Sequence, residues 1–126
     1  ALRDERVRIK IIKTTTRYAV GRLEEILSAS PHRVKPLCSV YAQCGGCVLQ
    51  HMDAQEQNRF KQQHIADCLQ RIGGVADRRL PSVQGMEHPF RYRNKAAFPV
   101  ANDIQSGKPI VGLFAARSHR LIPVTD

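Results

Sequence analysis

The chain has 126 residues, of which 42% are hydrophobic and 25% charged, values that fit one folded domain with a modest core. Its 20 lysines and arginines outnumber 11 aspartates and glutamates, and the formal charge of +9 favours a polyanionic partner such as nucleic acid. There is no apolar run of membrane-spanning length and no secretory leader, and the grouping of the four cysteines fits a reducing compartment. We therefore expect a cytoplasmic protein without a membrane partner. A basic soluble domain with no RNA role is the simpler alternative.

Residues 6–27 are predicted to form a β-hairpin. Apolar and basic residues alternate over residues 7–11, the period-two pattern of a half-buried strand. Gly21 interrupts the second apolar run, where it marks a bulge or a backbone crossing. Because two strands alone are marginally stable in water, we expect this hairpin to belong to a larger sheet. Its exposed side is basic, and we predict RNA contacts from Arg17 and Arg22, with a solvated charged face as the alternative.

Three of the four cysteines lie within ten residues of one another, at Cys38, Cys44 and Cys47, with the spacing C-x5-C-x2-C. Such a group of thiols indicates a metal site, because three close cysteines cannot all pair as disulfides. Gly45 and Gly46 separate the last two cysteines, and we expect positive φ angles there that turn the backbone inward. A zinc-stabilised loop and a set of ordinary reduced thiols are the alternatives.

Two other functions fit this cysteine stretch on its residues alone. His51 completes a C-x5-C-x2-C-x3-H set, which would satisfy tetrahedral zinc in a self-contained RNA-binding module. A ferredoxin-like electron carrier is the second, because plant-type ferredoxins also combine close cysteines with a remote fourth one. The excess of basic residues favours a nucleic-acid role over electron transfer.

A single long helix is predicted over residues 54–72. Asp53 stands at its N-cap, Glu56 occupies the reciprocal capping-box position, and two glycines follow the helix end. Apolar residues fall on one stripe of the helix, and Cys68 belongs to that stripe. We therefore predict that Cys68 is a small buried core residue and not a metal ligand.

Strand patterns return after a loop over residues 75–88. Aromatic and basic residues alternate over residues 90–100, and two apolar runs cover residues 110–114 and 120–124. The short polar turns between them predict an antiparallel meander, so the fold class is α+β and mostly antiparallel: a barrel-like hairpin, a cysteine loop, one long helix and a β-meander. The basic residues of the first of these strands are further predicted RNA contacts, with solvated charges as the alternative: Arg91, Arg93 and Lys95.

Catalytic signatures are lacking in the sequence. No G-x-G-x-x-G follows a predicted strand and no β-α-β repeat is present, so these residues build no pocket for a nucleotide or an adenosyl cofactor. No grouping of serine, histidine and carboxylate stands out. The residues alone therefore predict a basic, metal-containing binding module.

The pattern around the cysteines resembles that of the RNA uracil-5-methyltransferase family. The resemblance rests on Cys38-x5-Cys44-Gly-Gly-Cys47-x-Leu49-Gln50-His51, on Gln57 and Lys61, and on the helix end Leu69-x-Arg71-Ile72-Gly73-Gly74. It extends to Tyr92-Arg93-Asn94-Lys95, to residues 118–124 and to Tyr18-Ala-Val-Gly-Arg22-Leu, and so it covers nearly the whole chain.

The resemblance implies two domains and a cofactor. Residues 1–35 would be the C-terminal half of a TRAM-like, OB-like RNA-binding β-barrel, and residues 36–126 an iron–sulfur loop followed by a central β domain. Cys38, Cys44 and Cys47 would hold a [4Fe–4S] cluster, with a fourth cysteine expected soon after residue 124. The chain would then be a fragment that lacks the methyltransferase domain and is inactive alone.

The resemblance also implies the activity of the parent protein. Enzymes of this family transfer the methyl group of S-adenosylmethionine to C5 of a uridine, and the most similar form acts on 23S rRNA, with tRNA as the alternative substrate. A catalytic cysteine adds to C6 of the flipped-out uridine and a base removes the C5 proton; neither group is expected in this chain. The expected partner is RNA, specifically 23S rRNA. The sequence makes no prediction for the oligomeric state.

Overall fold

The computed structural model of the chain describes residues 1–75, 80–103 and 106–124. The chain divides into two compact units, Ala1–Arg33 and Val34–Asp126. The assignment of these regions to a TRAM-like barrel and to an iron–sulfur and central domain stays a prediction, because compactness alone identifies neither. Among the described residues, no helix has both the length and the apolar character needed to cross a membrane.

The first unit is built on the predicted hairpin. Strand β1 (Arg6–Thr14) pairs antiparallel with β2 (Ala19–Ser28), and the Thr15 backbone N–H donates to the Tyr18 carbonyl at 2.8 Å across the turn. Three register shifts interrupt the ladder, one of them beside Gly21, so the predicted bulge is confirmed. No residue of either strand is buried, and no third described strand joins them, so the larger sheet expected for this hairpin is not found among the described residues.

A buried carboxylate closes the open end of this hairpin. The Glu5 side chain has no exposed surface, and it accepts two hydrogen bonds from the Arg33 guanidinium at 2.5 and 2.9 Å. It also accepts the backbone N–H groups of Leu2 and Ser30, at 2.7 and 3.2 Å. The hydrogen bonds from Arg33 lower the pKa of Glu5 from 4.5 to about 2, because they outweigh the opposing effect of burial. Glu5 thus ties the segment before β1 to the connector after β2.

The second unit contains the predicted helix, α1 (Ala54–Arg71). The Asp53 carboxylate accepts the Glu56 backbone N–H at 2.7 Å, so the N-cap prediction is confirmed. Ile72 is the C-cap, and Gly74 follows with a φ of 63°, a left-handed conformation that glycine adopts without strain. Helix start and helix end therefore follow the local sequence signals.

The prediction that Cys68 is a buried core residue is wrong. Helix α1 has no buried residue, and Cys68 is only half-buried, with its Sγ 3.9 Å from His64 Nε2. Ile65, on the same apolar stripe, has 48% of its surface exposed. The stripe is present in the sequence, but no described element covers it fully.

The predicted meander is confirmed as a three-stranded antiparallel sheet. Strands β3 (Val100–Asn102), β4 (Pro109–Phe114) and β5 (Leu121–Pro123) pair in that order. Residues 104 and 105 of the predicted first turn lie outside the described residues. The buried apolar residues of the described chain form a small core: Met52, Ala115 and Ile122.

The predicted strand over residues 90–100 is wrong for all but its last residue. Only Val100 belongs to a strand, and residues 90–99 have irregular backbone. Arg91 has a φ of 56°, in the left-handed region that an extended strand excludes. The alternation of aromatic and basic residues therefore does not separate them onto two faces of a sheet.

Candidate nucleic-acid interface

The cysteine loop, residues 38–47, docks on the continuation of the central strand β4. Cys44 forms an isolated antiparallel bridge with Ala115, and the Gly45 N–H donates to the Phe114 carbonyl at 2.9 Å. The loop thereby joins the edge of the sheet through backbone hydrogen bonds, and its position does not depend on side-chain packing alone.

The two glycines of this loop have a different role from the predicted one. Positive φ occurs at Gly74 and Gly107 among the described glycines, and not at Gly45 or Gly46. A Cβ added at Gly45 would lie 2.8 Å from the Phe114 carbonyl oxygen, and one at Gly46 would lie 2.5 Å from a side-chain carbon of Leu113. The glycines are therefore required for close approach to β4, and the predicted inward turn of the backbone is wrong.

Two glutamine side chains hold the segment that follows the cysteines. Gln50 Oε1 accepts the Cys38 backbone N–H at 3.2 Å, which links the two ends of the loop. Gln57 Nε2, from the first turns of α1, donates to the carbonyls of Leu49 and Met52 at 3.1 and 2.9 Å. These residues entered the sequence analysis through the family resemblance, and the structure gives both a physical role in positioning the loop.

A tyrosine and a histidine form a third link across the same loop. The Tyr41 hydroxyl lies 2.5 Å from His51 Nδ1 and 3.0 Å from the Val48 carbonyl. The hydroxyl has one hydrogen and a carbonyl can only accept, so both bonds form when Tyr41 donates to Val48 and His51 donates from Nδ1. In this arrangement the His51 proton sits on the nitrogen that faces Tyr41.

The cysteines of the loop are free thiols. Cys47 is exposed, Cys38 and Cys44 are half-buried, and the Gly46 N–H donates to Cys44 Sγ at 3.3 Å, a contact of the kind that stabilises thiolate ligands. Within residues 1–75, 80–103 and 106–124, no three His, Cys, Asp or Glu side chains are grouped so that they could hold a metal ion. The loop supplies suitable donors without gathering them, and the predicted metal site stays a prediction.

A groove of about 920 Å³ lies beside the loop, within the second unit. Residues 46–50, the first half of α1 and most of residues 89–98 line it. Among the described residues, its charged and aromatic lining consists of four cations, one carboxylate and three aromatic rings: Lys35, Lys61, Arg91, Arg93, Asp53, Phe90, Tyr92 and Phe98. Because the four cations outnumber the one carboxylate, the groove is positive.

Arg91 accounts for the way in which residues 89–93 face the groove. In an extended strand successive side chains point to opposite faces, yet all five of these residues line the groove. The positive φ of Arg91 reverses the local alternation, so that Phe90 and Tyr92 both reach the same surface as the arginines. The groove lining depends on one left-handed residue.

Arg93 connects the aromatic segment with the cysteine loop. Its guanidinium carbon lies 5.8 Å from the centroid of the Tyr92 ring, and its Nε lies 3.5 Å from the Tyr92 hydroxyl. The pKa of Arg93 is raised, first by this hydrogen bond to Tyr92 and, to a smaller extent, by the negative charge that Cys47 carries when ionised. The cation therefore lies beside the Tyr92 ring.

The structure brings together two of the three RNA contacts predicted for this unit. Arg91 and Arg93 line the groove, whereas Lys95 does not. Sequence reasoning missed Lys35 and Lys61 as groove residues. A signal for Lys61 was present, because it stands four residues after Gln57 and thus on the same face of α1; we find no such signal for Lys35.

The other two predicted RNA contacts belong to the first unit. Arg22 lies directly opposite Lys10 in the hairpin ladder, and such a like-charge pair is relieved by a bound anion. Arg22 also lies 3.8 Å from Glu24, an exposed ion pair that contributes little. Arg17 is in the turn between β1 and β2 and is exposed. RNA contact by these residues stays a prediction.

Comparison with known proteins links the chain to RNA methyltransferases. It is 46% identical to an uncharacterized RNA methyltransferase of Clostridium tetani over 122 residues, 97% of this chain and 26% of the relative. Proteins with the same description are 41% identical in Clostridium acetobutylicum and 42% identical in Halalkalibacterium halodurans, over 98% and 100% of this chain and 27% of each relative. The chain matches no protein-family model. It spans about a quarter of the length of the curated relatives it matches.

Proposed function

We propose that the chain is the RNA-binding portion of a RumA-type methyltransferase, which uses S-adenosylmethionine to methylate C5 of a uridine in 23S rRNA. The observation that supports this proposal is the composition of the groove. Four cations and three aromatic rings line it, together with one carboxylate, Asp53, which caps α1. Phosphates are attracted to such cations and exposed bases stack on such rings, so the lining suits a polynucleotide strand. The similarity to proteins named RNA methyltransferases supports RNA as the polynucleotide.

The proposal assigns no catalytic residue to this chain. Its described side chains would bind and orient RNA, and the methyl transfer would belong to the parent enzyme. The basic face of the hairpin, with Arg17 and Arg22, would bind neighbouring nucleotides. The groove, with Arg91 and Arg93, would bind the segment nearer the target uridine.

A [4Fe–4S] cluster is part of the proposal and would be held by Cys38, Cys44, Cys47 and one further ligand. Thiol donors and the N–H contact to Cys44 suit such a group, while the missing grouping of side chains means that the sulfurs would have to be drawn together on binding. When bound, the cluster would cross-link the loop, as structural metals do.

RNA binding is tested by the salt dependence of affinity. Lys61→Ala should weaken binding to a 23S rRNA fragment and reduce the slope of log affinity against log salt by roughly one, because one phosphate contact is lost. Arg93→Ala should do the same. Lys108→Ala is the matched control, since Lys108 is exposed and does not line the groove. Equal salt-dependence slopes for all three variants would contradict the proposed interface. Tighter binding to tRNA than to the 23S rRNA fragment would indicate that the substrate is tRNA.

Metal content distinguishes the cluster from the zinc alternative. Protein purified without oxygen should contain iron and show a broad brown absorption if Cys38, Cys44 and Cys47 hold an iron–sulfur cluster. Stoichiometric zinc that is lost in His51→Ala would instead identify a zinc-dependent RNA-binding module, with RNA binding retained and the methyltransferase assignment removed.

A further inference from the structure

Three aromatic rings remain open to solvent on the groove surface. Tyr92 has 59% of its surface exposed, Phe90 46% and Phe98 45%, although all three line the same groove. Exposed apolar area concentrated in one place marks a binding surface more often than a folding core. The neighbouring cations restrict the ligand to one that is both anionic and able to stack.

The backbone is strained at Arg91, between two of the exposed rings. A non-glycine residue with positive φ is uncommon, and Arg91 adopts φ 56° between two of the exposed rings. Phe90 and Tyr92 would share one face of an extended strand, and here Arg91 and Arg93 line the same groove as these rings, with the Arg93 guanidinium beside the Tyr92 ring.

We propose that the turn at Arg91 builds a stacking site for an unpaired nucleobase, with Phe90, Tyr92 and Phe98 as the rings and Arg91 and Lys61 contacting the flanking phosphates. This inference rests on the proposed function, because it names the form of RNA that the groove binds. Ring faces and guanidinium planes are the surfaces on which splayed-out bases stack. A base in a duplex is already stacked on its neighbours, so it cannot stack on these protein rings.

The occupant follows from charge and ring content together. An acidic peptide would satisfy the four cations and leave the three rings uncovered, whereas a single polynucleotide strand uses both features. Duplex RNA would satisfy the cations through its phosphates alone. Base stacking should therefore contribute to the affinity for unpaired RNA, and not to the affinity for an acidic peptide or for duplex RNA.

The test separates phosphate binding from base stacking by changing only the bases of the probe. Binding of the chain is measured by fluorescence anisotropy with a short oligouridine, with an abasic oligomer of the same length and charge, and with a duplex. Oligouridine should bind roughly tenfold or more tightly than the abasic oligomer. Tyr92→Leu should reduce that difference, because one of the three rings is lost, and Tyr92→Phe should retain it.

Two variants of Arg91 then test the turn itself. Arg91→Asn removes the charge and keeps a residue that tolerates positive φ, so it should weaken both oligomers equally. Arg91→Val removes the same charge and disfavours the turn, so it should also lose the preference for oligouridine. The comparison isolates backbone conformation from charge, because the two variants have the same net charge.

The outcomes separate this inference from the proposed function. If neither oligomer binds, RNA binding by the groove is wrong and the stacking site with it. If both bind equally well, or if Tyr92→Leu leaves the preference for bases undiminished, RNA binding stands and the stacking site is wrong. If polyglutamate displaces oligouridine at equal charge concentration, the groove is an acidic-peptide site and the inference is overturned.

Discussion

Replacing Glu5 by Gln should destabilise the first unit by about 2 to 3 kcal/mol. Four hydrogen bonds converge on the Glu5 carboxylate, two of them from Arg33, and none of its side-chain surface is exposed. Lowering its pKa from 4.5 to about 2 corresponds to about 3 kcal/mol in favour of the ionised form, at roughly 1.4 kcal/mol for each tenfold change in proton affinity. Gln keeps some of the hydrogen bonds but removes the negative charge that faces Arg33.

The sign of the pH dependence follows from the lowered pKa of Glu5. Because the folded-state pKa lies below the unfolded value, the unfolded chain binds the proton first as the pH falls. The contribution of Glu5 is complete above about pH 5.5, decreases below 4.5 and is lost near pH 2. The difference in unfolding free energy between wild type and Glu5→Gln should therefore shrink over the same range, since protonated Glu resembles Gln.

Urea unfolding between pH 2.5 and 7, with amide hydrogen exchange of β1 and β2 as the local readout, measures this difference. Glu25→Gln is the matched control, because Glu25 pairs with Arg8 on the exposed face of the same hairpin and should change stability by less than about 0.5 kcal/mol. Equal effects of the two substitutions, or a Glu5 effect that does not shrink in acid, would refute the assigned role of Glu5.

Three further predictions concern the second unit. Asp53→Ala should cost about 1 kcal/mol through loss of the N-cap, measured by thermal unfolding followed at the helix signal; an unchanged midpoint would contradict the cap. Gly45→Ala should destabilise more than Gly46→Ala in urea unfolding, because the added Cβ meets backbone in the first case and the flexible end of a side chain in the second. Gln57→Leu should cost about 1 to 2 kcal/mol, since it removes the Gln57 donor from the Met52 carbonyl, whereas the Leu49 carbonyl still accepts the Met52 backbone N–H. Gln62→Leu, at an exposed hydrogen bond of the same helix, should cost little.

Local signals predicted most of the regular structure. The hairpin, its bulge at Gly21, the Asp53 cap and the two later strands of the meander each depend on residues close together in the sequence, and the structure confirms them. Caps and turns are decided by the chemistry of a few neighbouring residues, which is why sequence reasoning finds them.

Long-range contacts account for what the sequence did not predict. Gly45 is constrained by Phe114, and no local pattern reveals that close approach. Alternation over residues 90–99 has the period of a strand, but a strand also needs a partner, and the left-handed turn at Arg91 directs the side chains to a groove instead. Cys68 was predicted to be buried from its stripe alone, and burial depends on what packs against the stripe.

The bridge between Cys44 and Ala115 closes the chain into a ring without a covalent bond. Of the residues that line the groove, only Val34, Lys35 and Leu37 lie outside this ring. Opening the bridge would release the chain entropy that ring closure removes, as reduction of a disulfide does. Only molecules with a closed ring would then have the complete groove. The apparent affinity for a ligand of the groove would therefore fall in proportion to the fraction of molecules in which the ring is closed. A substitution at the bridge, outside the groove lining, would thus change binding by changing how often the ring is closed.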